Sequence, residues 1–293
     1  MDKPKVLVVG AGGFLGAYLA QAAADKYQVV KGERSPVDPD GQAIDIGDAS
    51  SVYQAFQTVQ PEAVILAAAI SDIDRCEAQP ELAFTVNVRG AELVANLCAR
   101  TNARLMFTST AAVFDGRKHG YREDGEMSPL SVYGKTKARA EMIVRALLPE
   151  ALVIRFSLVL GFAAKQGTNS ALDNLNKNWK AGTPVALSTD EFRNPVHAAP
   201  VSEIMISLLA NHKVSGIYHV GASDSMSRYE MAKRLAARAG FPDDLVRPQT
   251  QPVLGRAPRG NDHFLLTDKL QRLCGAQSPT CEQVIERCFD GIA

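Results

Sequence analysis

Lys5-Val6-Leu7-Val8-Val9 runs directly into Gly10-Ala11-Gly12-Gly13-Phe14-Leu15-Gly16 and then into an alanine-rich stretch, Ala17 to Ala24. An unbroken apolar run of strand length, a glycine turn and a helix together make a phosphate-binding loop. Small residues let the backbone approach a pyrophosphate, and the first N–H groups of the helix lack intrahelical partners. Glycines at 10, 13 and 16 therefore predict an α/β fold entered at its first strand, a doubly wound parallel sheet. Gly10, Gly13, Phe14, Leu15 and Gly16 are the candidate phosphate contacts.

Working outward, strand and helix alternate six or seven times. A second strand is expected at Tyr27 to Lys31, and the residues after it should meet an adenosine ribose. Glu33 stands where an acid takes a 2′-hydroxyl, whereas Arg34 and Lys31 are suited to an additional 2′-phosphate, so the two dinucleotides both remain open. In Ile44-Asp45-Ile46-Gly47-Asp48, Asp45 and Ile46 are candidates for the adenine side, and Asp48 is placed to cap a helix from Ala49 to Val59. The next buried strand, from Ala63, ends in Ala67-Ala68-Ala69, small enough for a cofactor to pass over its carboxyl end. Ser71 opens the polar loop that follows and faces the substrate side. A long helix is expected from about Glu81 to Arg100, with Asn87 on a face that also carries Phe84, Leu93 and Leu97. A buried amide needs partners, as a structural hydrogen-bonder or a member of a proton relay.

The strand Arg104 to Thr110 ends in three hydroxyls, Thr108-Ser109-Thr110, and ligands of open parallel sheets gather at such ends. Beyond a turn-rich loop comes Ser131-Val132-Tyr133-Gly134-Lys135-Thr136-Lys137. Tyrosine and lysine four residues apart share one helix face, and a neighbouring cation is expected to lower the phenol's pKa, giving a group able to pass a proton. A hydroxyl from Ser109 or Thr110 would hold a carbonyl oxygen while Tyr133 protonates it.

Composition narrows the function classes. The 293 residues are 46% hydrophobic, enough for a large core, and 32 basic residues balance 32 acidic ones. That balance argues against a nucleic-acid or anionic-membrane binder, and the longest apolar run, Ala63 to Ile70, is too short to span a bilayer. Five cysteines without a CxxC pair read as reduced structural thiols and give no metal set; a cytoplasmic protein is expected.

Taken together, GxxGxxG, Ala67-Ala68-Ala69, Asn87, Ser109-Thr110 before Ala-x-Val-Phe-Asp-Gly, and Tyr133 to Lys137 with Glu141 resemble the extended short-chain dehydrogenase/reductases, in the branch of the dTDP-4-dehydrorhamnose reductases. The likeness extends to Val153-Ile154-Arg155-Phe156, Gly216 to Val220 and Thr267-Asp268-Lys269-Leu270. It implies a Rossmann sheet with NADP or NAD as cofactor, NADP slightly ahead. It also implies Tyr133 as general acid, Lys137 on the nicotinamide ribose, Thr110 on the substrate carbonyl and Asn87 in a water-linked relay. Ala111-Ala112 stands where those sugar reductases usually carry Asp-Tyr, and Leu66 and Ile70 where they usually carry Asn and Tyr. Those positions bear on the substrate rather than on hydride transfer.

A cofactor domain is expected at 1–160, rejoined at about 195–222, with a small C-terminal substrate lobe from 161–194 and 223–293. Asn169, on a helix from Thr168 to Ala181, would help to wall the substrate site. Arg193, with Arg256 and Arg259 as second candidates, would meet a diphosphate. His197 reads as structural. The expected function is reduction of a carbonyl, the 4-keto group of a nucleotide sugar. Two alternatives stand beside it: an epimerase that retains its cofactor, and a non-catalytic NADP-binding regulatory subunit like that of methionine adenosyltransferase. The expected partner is a small molecule, with no nucleic acid and no membrane, and a homodimer left open.

Overall fold

The computed structural model describes residues 3–36, 38–163, 168, 170–250 and 255–290. Its centre is a seven-stranded sheet of β1 (Lys5–Val9), β2 (Gln28–Glu33), β3 (Gln42–Ala43), β4 (Ala63–Leu66), β5 (Arg104–Thr110), β6 (Leu152–Phe156) and β7 (Gly216–Val220). The order is β7-β6-β5-β4-β1-β2-β3, with every pairing parallel. The order reverses between β1 and β4, and a crevice at that switch point is where such sheets bind ligands.

The apolar runs of β1 and β4 are explained by burial on both faces. On one side Val6, Val8 and Ile65 pack against α1 (Phe14–Ala23) and α5 (Ala198–Ala210), through Leu19, Met205 and Leu209. On the other, Leu7, Val9 and Val64 meet α2 (Ala49–Val59), α3 (Gly90–Thr101) and α4 (Val132–Leu147), through Phe56, Val94 and Val144. A further core gathers Leu172, Leu175 and Trp179 with Met231 and Leu235 of α6 (Arg228–Arg238) and Val284 and Ile285 near the carboxyl end. It lies beyond the carboxyl ends of the strands, beside short pairings of Phe192–Arg193 with Met226–Ser227 and Asp262–His263.

Several boundaries differ from those expected. Strand β2 extends to Glu33, which therefore belongs to the strand and not to the loop after it. The helix expected from Glu81 to Arg100 is interrupted by a π-helical turn, Thr85–Arg89, between Pro80–Phe84 and α3. A wider turn shifts the side-chain phase, so Asn87 is buried while Phe84 is exposed. The proline-rich stretch after Phe241 contributes a strand, Val246–Gln249, paired in parallel with Val185–Ser188. Asp48 caps α2 as expected, accepting from the Ser50 N–H at 2.9 Å. His197 is structural: its Nδ1 accepts from the Ala199 N–H at the start of α5. All five cysteines are free, and only Cys274 is exposed. No helix among the described residues is long and apolar enough to cross a membrane.

Candidate active site

A cleft of about 1400 Å³ opens over the carboxyl ends of β1, β4 and β5. Its floor is the glycine turn. Gly10 has φ +93°, and a Cβ there would come within 2.6 Å of the Ala68 backbone nitrogen. A Cβ on Gly16 would lie 2.0 Å from the Gly10 carbonyl oxygen, so α1 can sit this close to the turn only with glycine. No side chain caps α1, whereas Asp48, Ser131 and Ser227 cap α2, α4 and α6. Its first N–H groups are left for an anion, which suits a dinucleotide's pyrophosphate. Phe14, Leu15, Asp45, Ile46 and Ala67 to Ala69 line the same cleft. Asp45 is also engaged locally, accepting from the Gly47 N–H at 2.8 Å.

At the end of β2 the charges separate. A Cβ on Gly12 would lie 2.9 Å from the Glu33 Oε2, so this carboxylate rests against the glycine turn. Lys31 pairs with Asp38 at 3.1 Å and is not among the residues lining the cleft. Arg34 remains on the cleft wall.

The tyrosine and lysine stand at the opposite wall. Ser131 caps α4 by accepting from the Gly134 N–H at 3.1 Å, fixing where the helix begins. A Cβ on Gly134 would lie 2.2 Å from the Ala112 carbonyl oxygen, so the glycine after Tyr133 lets α4 close onto the turn that follows β5. Tyr133 thereby faces Thr110, whose hydroxyl hydrogen-bonds its phenol. Lys137 extends back beneath the strand: its Nζ donates to the Thr108 carbonyl at 2.7 Å and lies 3.9 Å from the Phe107 ring centroid.

This geometry corrects the expected electrostatics. Burial pushes the Tyr133 phenol up to about 12, and the Thr110 hydrogen bond only partly offsets it. Burial also lowers Lys137 to about 7, with the Glu141 carboxylate pulling the other way. Burial thus disfavours the charged form of Lys137, while the Thr108 carbonyl and the Glu141 carboxylate favour it.

Asn87 stands behind this wall. Its Oδ1 accepts from the Ile70 N–H at 2.8 Å, and its Nδ2 donates to the Ile70 carbonyl at 3.0 Å and the Thr136 hydroxyl at 3.1 Å. It clamps the loop after β4 to the helix that carries Tyr133. The Ser109 hydroxyl donates to Glu141, inside a buried group completed by Arg155, whose Nη2 reaches Glu141 Oε2 at 2.6 Å. Ser109 is thereby engaged away from a substrate, leaving Thr110 as the hydroxyl beside Tyr133.

The substrate-side residues are brought to one wall, but not with free charges. Arg193 is spent on the Phe192, Gly260 and Asn261 carbonyls and on Glu191. Arg259 grips Asp74 through both carboxylate oxygens, at 3.1 and 2.8 Å, and Asp74 also accepts from the Ala257 N–H. Ser71 lines the cleft, and Asn169 lies outside the described residues. Among the cleft residues not singled out from the sequence, two carry polar groups of note. Ser157 has a buried hydroxyl without a partner among the described residues, an orphan that a bound ligand would satisfy. Arg228 opens α6 on the same wall. A lone serine after a strand and an arginine at a helix start carry no local signal of such a position.

The parallel sheet, the glycine turn with its uncapped helix and the tyrosine–lysine pair beside a threonine define an extended short-chain dehydrogenase/reductase. The chain belongs to the RmlD substrate binding domain family, whose profile matches residues 4–293. It is 30% identical over 257 residues to the spore coat polysaccharide biosynthesis protein SpsK of Bacillus subtilis, covering 87% of this chain and 86% of that one. To the methionine adenosyltransferase 2 subunit beta of Xenopus laevis it is 29% identical, covering 94% and 84%. The crystal structure of dTDP-4-dehydrorhamnose reductase from Bacillus anthracis in complex with NADP superposes with a TM-score of 0.88 at 27% identity, covering 98% and 99%.

Proposed function

We propose that this protein is an NAD(P)-dependent oxidoreductase that reduces a carbonyl, the 4-keto group of a nucleotide sugar. The observation that carries the proposal is the meeting of Tyr133 and Thr110 at one end of a cleft whose other end is the uncapped start of α1. When bound, the nicotinamide cofactor supplies the hydride. Thr110 holds the carbonyl oxygen, and Tyr133, whose phenol is protonated at neutral pH, donates its proton to it. Lys137, tethered to the Thr108 carbonyl, meets the nicotinamide ribose, while Asn87 keeps α4 and the loop after β4 in register. We take residues 1–160 and 195–222 as the cofactor-binding part and 161–194 and 223–293 as the substrate lobe. A cytoplasmic location, a small-molecule partner and a homodimer belong to the same reading.

The test is direct: purified protein with NADPH or NADH should oxidise the cofactor only when a 4-keto nucleotide sugar is added. Intact cofactor binding without any carbonyl-dependent consumption would remove the reductase reading. A second reading, a non-catalytic NADP-binding subunit, draws on the likeness to the methionine adenosyltransferase 2 subunit beta and on Ala111-Ala112, Leu66 and Ile70. It requires co-purification with a larger enzyme and a change in that enzyme's kinetics. An epimerase would instead purify with its cofactor and show no net redox change.

Cofactor choice has its own test. Arg34 is the base left beside the ribose position, so Arg34→Ala should raise the KM for NADPH roughly 10-fold, the cost of one lost charge-assisted phosphate contact. The KM for NADH should change less than about 2-fold, since the ribose hydroxyl is served by Glu33. Glu33→Gln should shift the ratio toward NADPH. Steady-state kinetics with each cofactor decides it, and an unchanged ratio in both variants would remove these roles.

A further inference from the structure

We infer that Arg228, a partly buried cation with no bonded partner among the described residues, anchors the substrate's diphosphate rather than Arg193 or Arg259, and so is a specificity-determining residue of this cleft. The inference rests on the nucleotide-sugar reading above. Five guanidiniums, those of Arg75, Arg193, Arg228, Arg256 and Arg259, share the cleft wall with the carboxylates of Asp72, Asp74 and Glu191. Two of the five are bonded within the wall, and two are exposed to water. The Arg193 fork is filled by three carbonyls and Glu191 and the Arg259 fork by Asp74, while Arg75 and Arg256 are exposed to water.

Arg228 differs. It lies at the first position of α6, where the pairing of Met226–Ser227 with Phe192–Arg193 brings its N–H within 2.9 Å of the Glu191 carbonyl. Its guanidinium makes no hydrogen bond or ion pair with a described residue, although it is only partly exposed. Burial lowers its pKa; Glu191 opposes that shift, while Arg256 and Arg259 add to it. The helix start adds a further unfavourable field, because the macrodipole there favours an anion. A partly desolvated guanidinium with no bonded partner, beside like charges and a positive helix end, costs stability in the empty protein. An anion of about two charges bridging it would offset that cost, and a guanidinium suits the bidentate geometry of phosphate oxygens.

The probes are inorganic pyrophosphate and the nucleoside diphosphates TDP and UDP, titrated calorimetrically into protein saturated with NADP+ so that the cofactor's own phosphate sites are filled. Arg228→Gln should bind these probes roughly 30-fold more weakly than wild type, the loss of a bidentate charged contact. Its NADP+ affinity should stay at the wild-type value, and its thermal midpoint should be no lower than wild type and should rise if the unpaired charge is costly. Arg228→Lys, which keeps the charge but loses the fork, should fall between the two and decides the matter if the glutamine variant does not fold. A nucleoside diphosphate that binds more tightly than pyrophosphate identifies the source as a nucleotide. Probe affinities in Arg228→Gln within 2-fold of wild type, or no probe binding by the saturated wild type, would overturn the assignment. These titrations need no turnover, so the anchor and the reductase reading fail separately. With an active preparation, the same variant should raise the KM for the nucleotide sugar and leave kcat nearly unchanged.

Discussion

Tyr133→Phe should leave a folded protein that binds NAD(P)H normally and reduces its carbonyl substrate with a kcat lowered by roughly 10²–10⁴-fold, the range expected for loss of a positioned general acid. The substitution removes one oxygen and keeps the ring that lines the cleft. The phenol's protein partner is the Thr110 hydroxyl, and Thr110 still caps the turn after β5 by accepting from the Ala112 N–H at 3.1 Å. Stability should therefore fall by no more than about 1 kcal/mol, the net worth of one hydrogen bond. Because burial holds the phenol near 12, the acid form is present throughout the neutral range, so the loss should be nearly the same at pH 6 and pH 9. Single-turnover oxidation of bound NADPH, with cofactor affinity measured in parallel, separates this from a binding defect. A kcat within about 3-fold of wild type would mean that another group, or solvent, protonates the oxygen, because a positioned acid contributes far more.

What the sequence disclosed and what it withheld divide along the range of the interactions. The run Lys5 to Gly16 announces strand, turn and helix because burial on both faces and the close packing of Gly10 and Gly16 are written in adjacent residues. Tyr133 and Lys137 are legible for the same reason, since helical spacing puts them on one face. Their ionisation was not legible. It depends on burial, which comes only from the packing of α4 on β5. Asn87 stood out as an amide among apolar neighbours, but the π-helical turn that buries it leaves no mark in a short periodic pattern. The phosphate-side arginines show the limit most clearly. Arg193, Arg228 and Arg259 are equivalent as letters, and what separates them is which one bonds Glu191, Asp74 or no side chain among the described residues. Those partners come from two-residue strands and from contacts 185 positions apart in the case of Asp74 and Arg259. Pairings that short carry no alternation to read.

Arg155→Met should destabilise the protein by about 3–5 kcal/mol, because it strands the Glu141 carboxylate in the core. Both side chains are 1% exposed, and Arg155 meets Glu141 through Nε at 2.9 Å and Nη2 at 2.6 Å. Its Nη1 serves the Glu123 carbonyl and His219 Nε2, each at 3.2 Å. His219 is held neutral there, pushed down to about 3 by burial and by the neighbouring guanidinium. For a chain of this size the loss amounts to a drop in Tm of roughly 5–8 °C, readable by calorimetry. The double variant Glu141→Met, Arg155→Met should recover much of it, since removing both charges leaves no unpaired ion and two apolar side chains can fill the space. The pair's position also predicts an effect on activity. Glu141 lies one helical turn beyond Lys137 on α4 and accepts the Ser109 hydroxyl at the end of β5, so it joins the helix carrying Tyr133 to the strand carrying Thr110. In the double variant, stability recovered without kcat would mark the ion pair as the element that sets the Tyr133–Thr110 geometry. Both recovered together would mean that packing of α4 on β5 sets it unaided, and a single Arg155→Met variant as stable as wild type would show that Glu141 finds another partner or water.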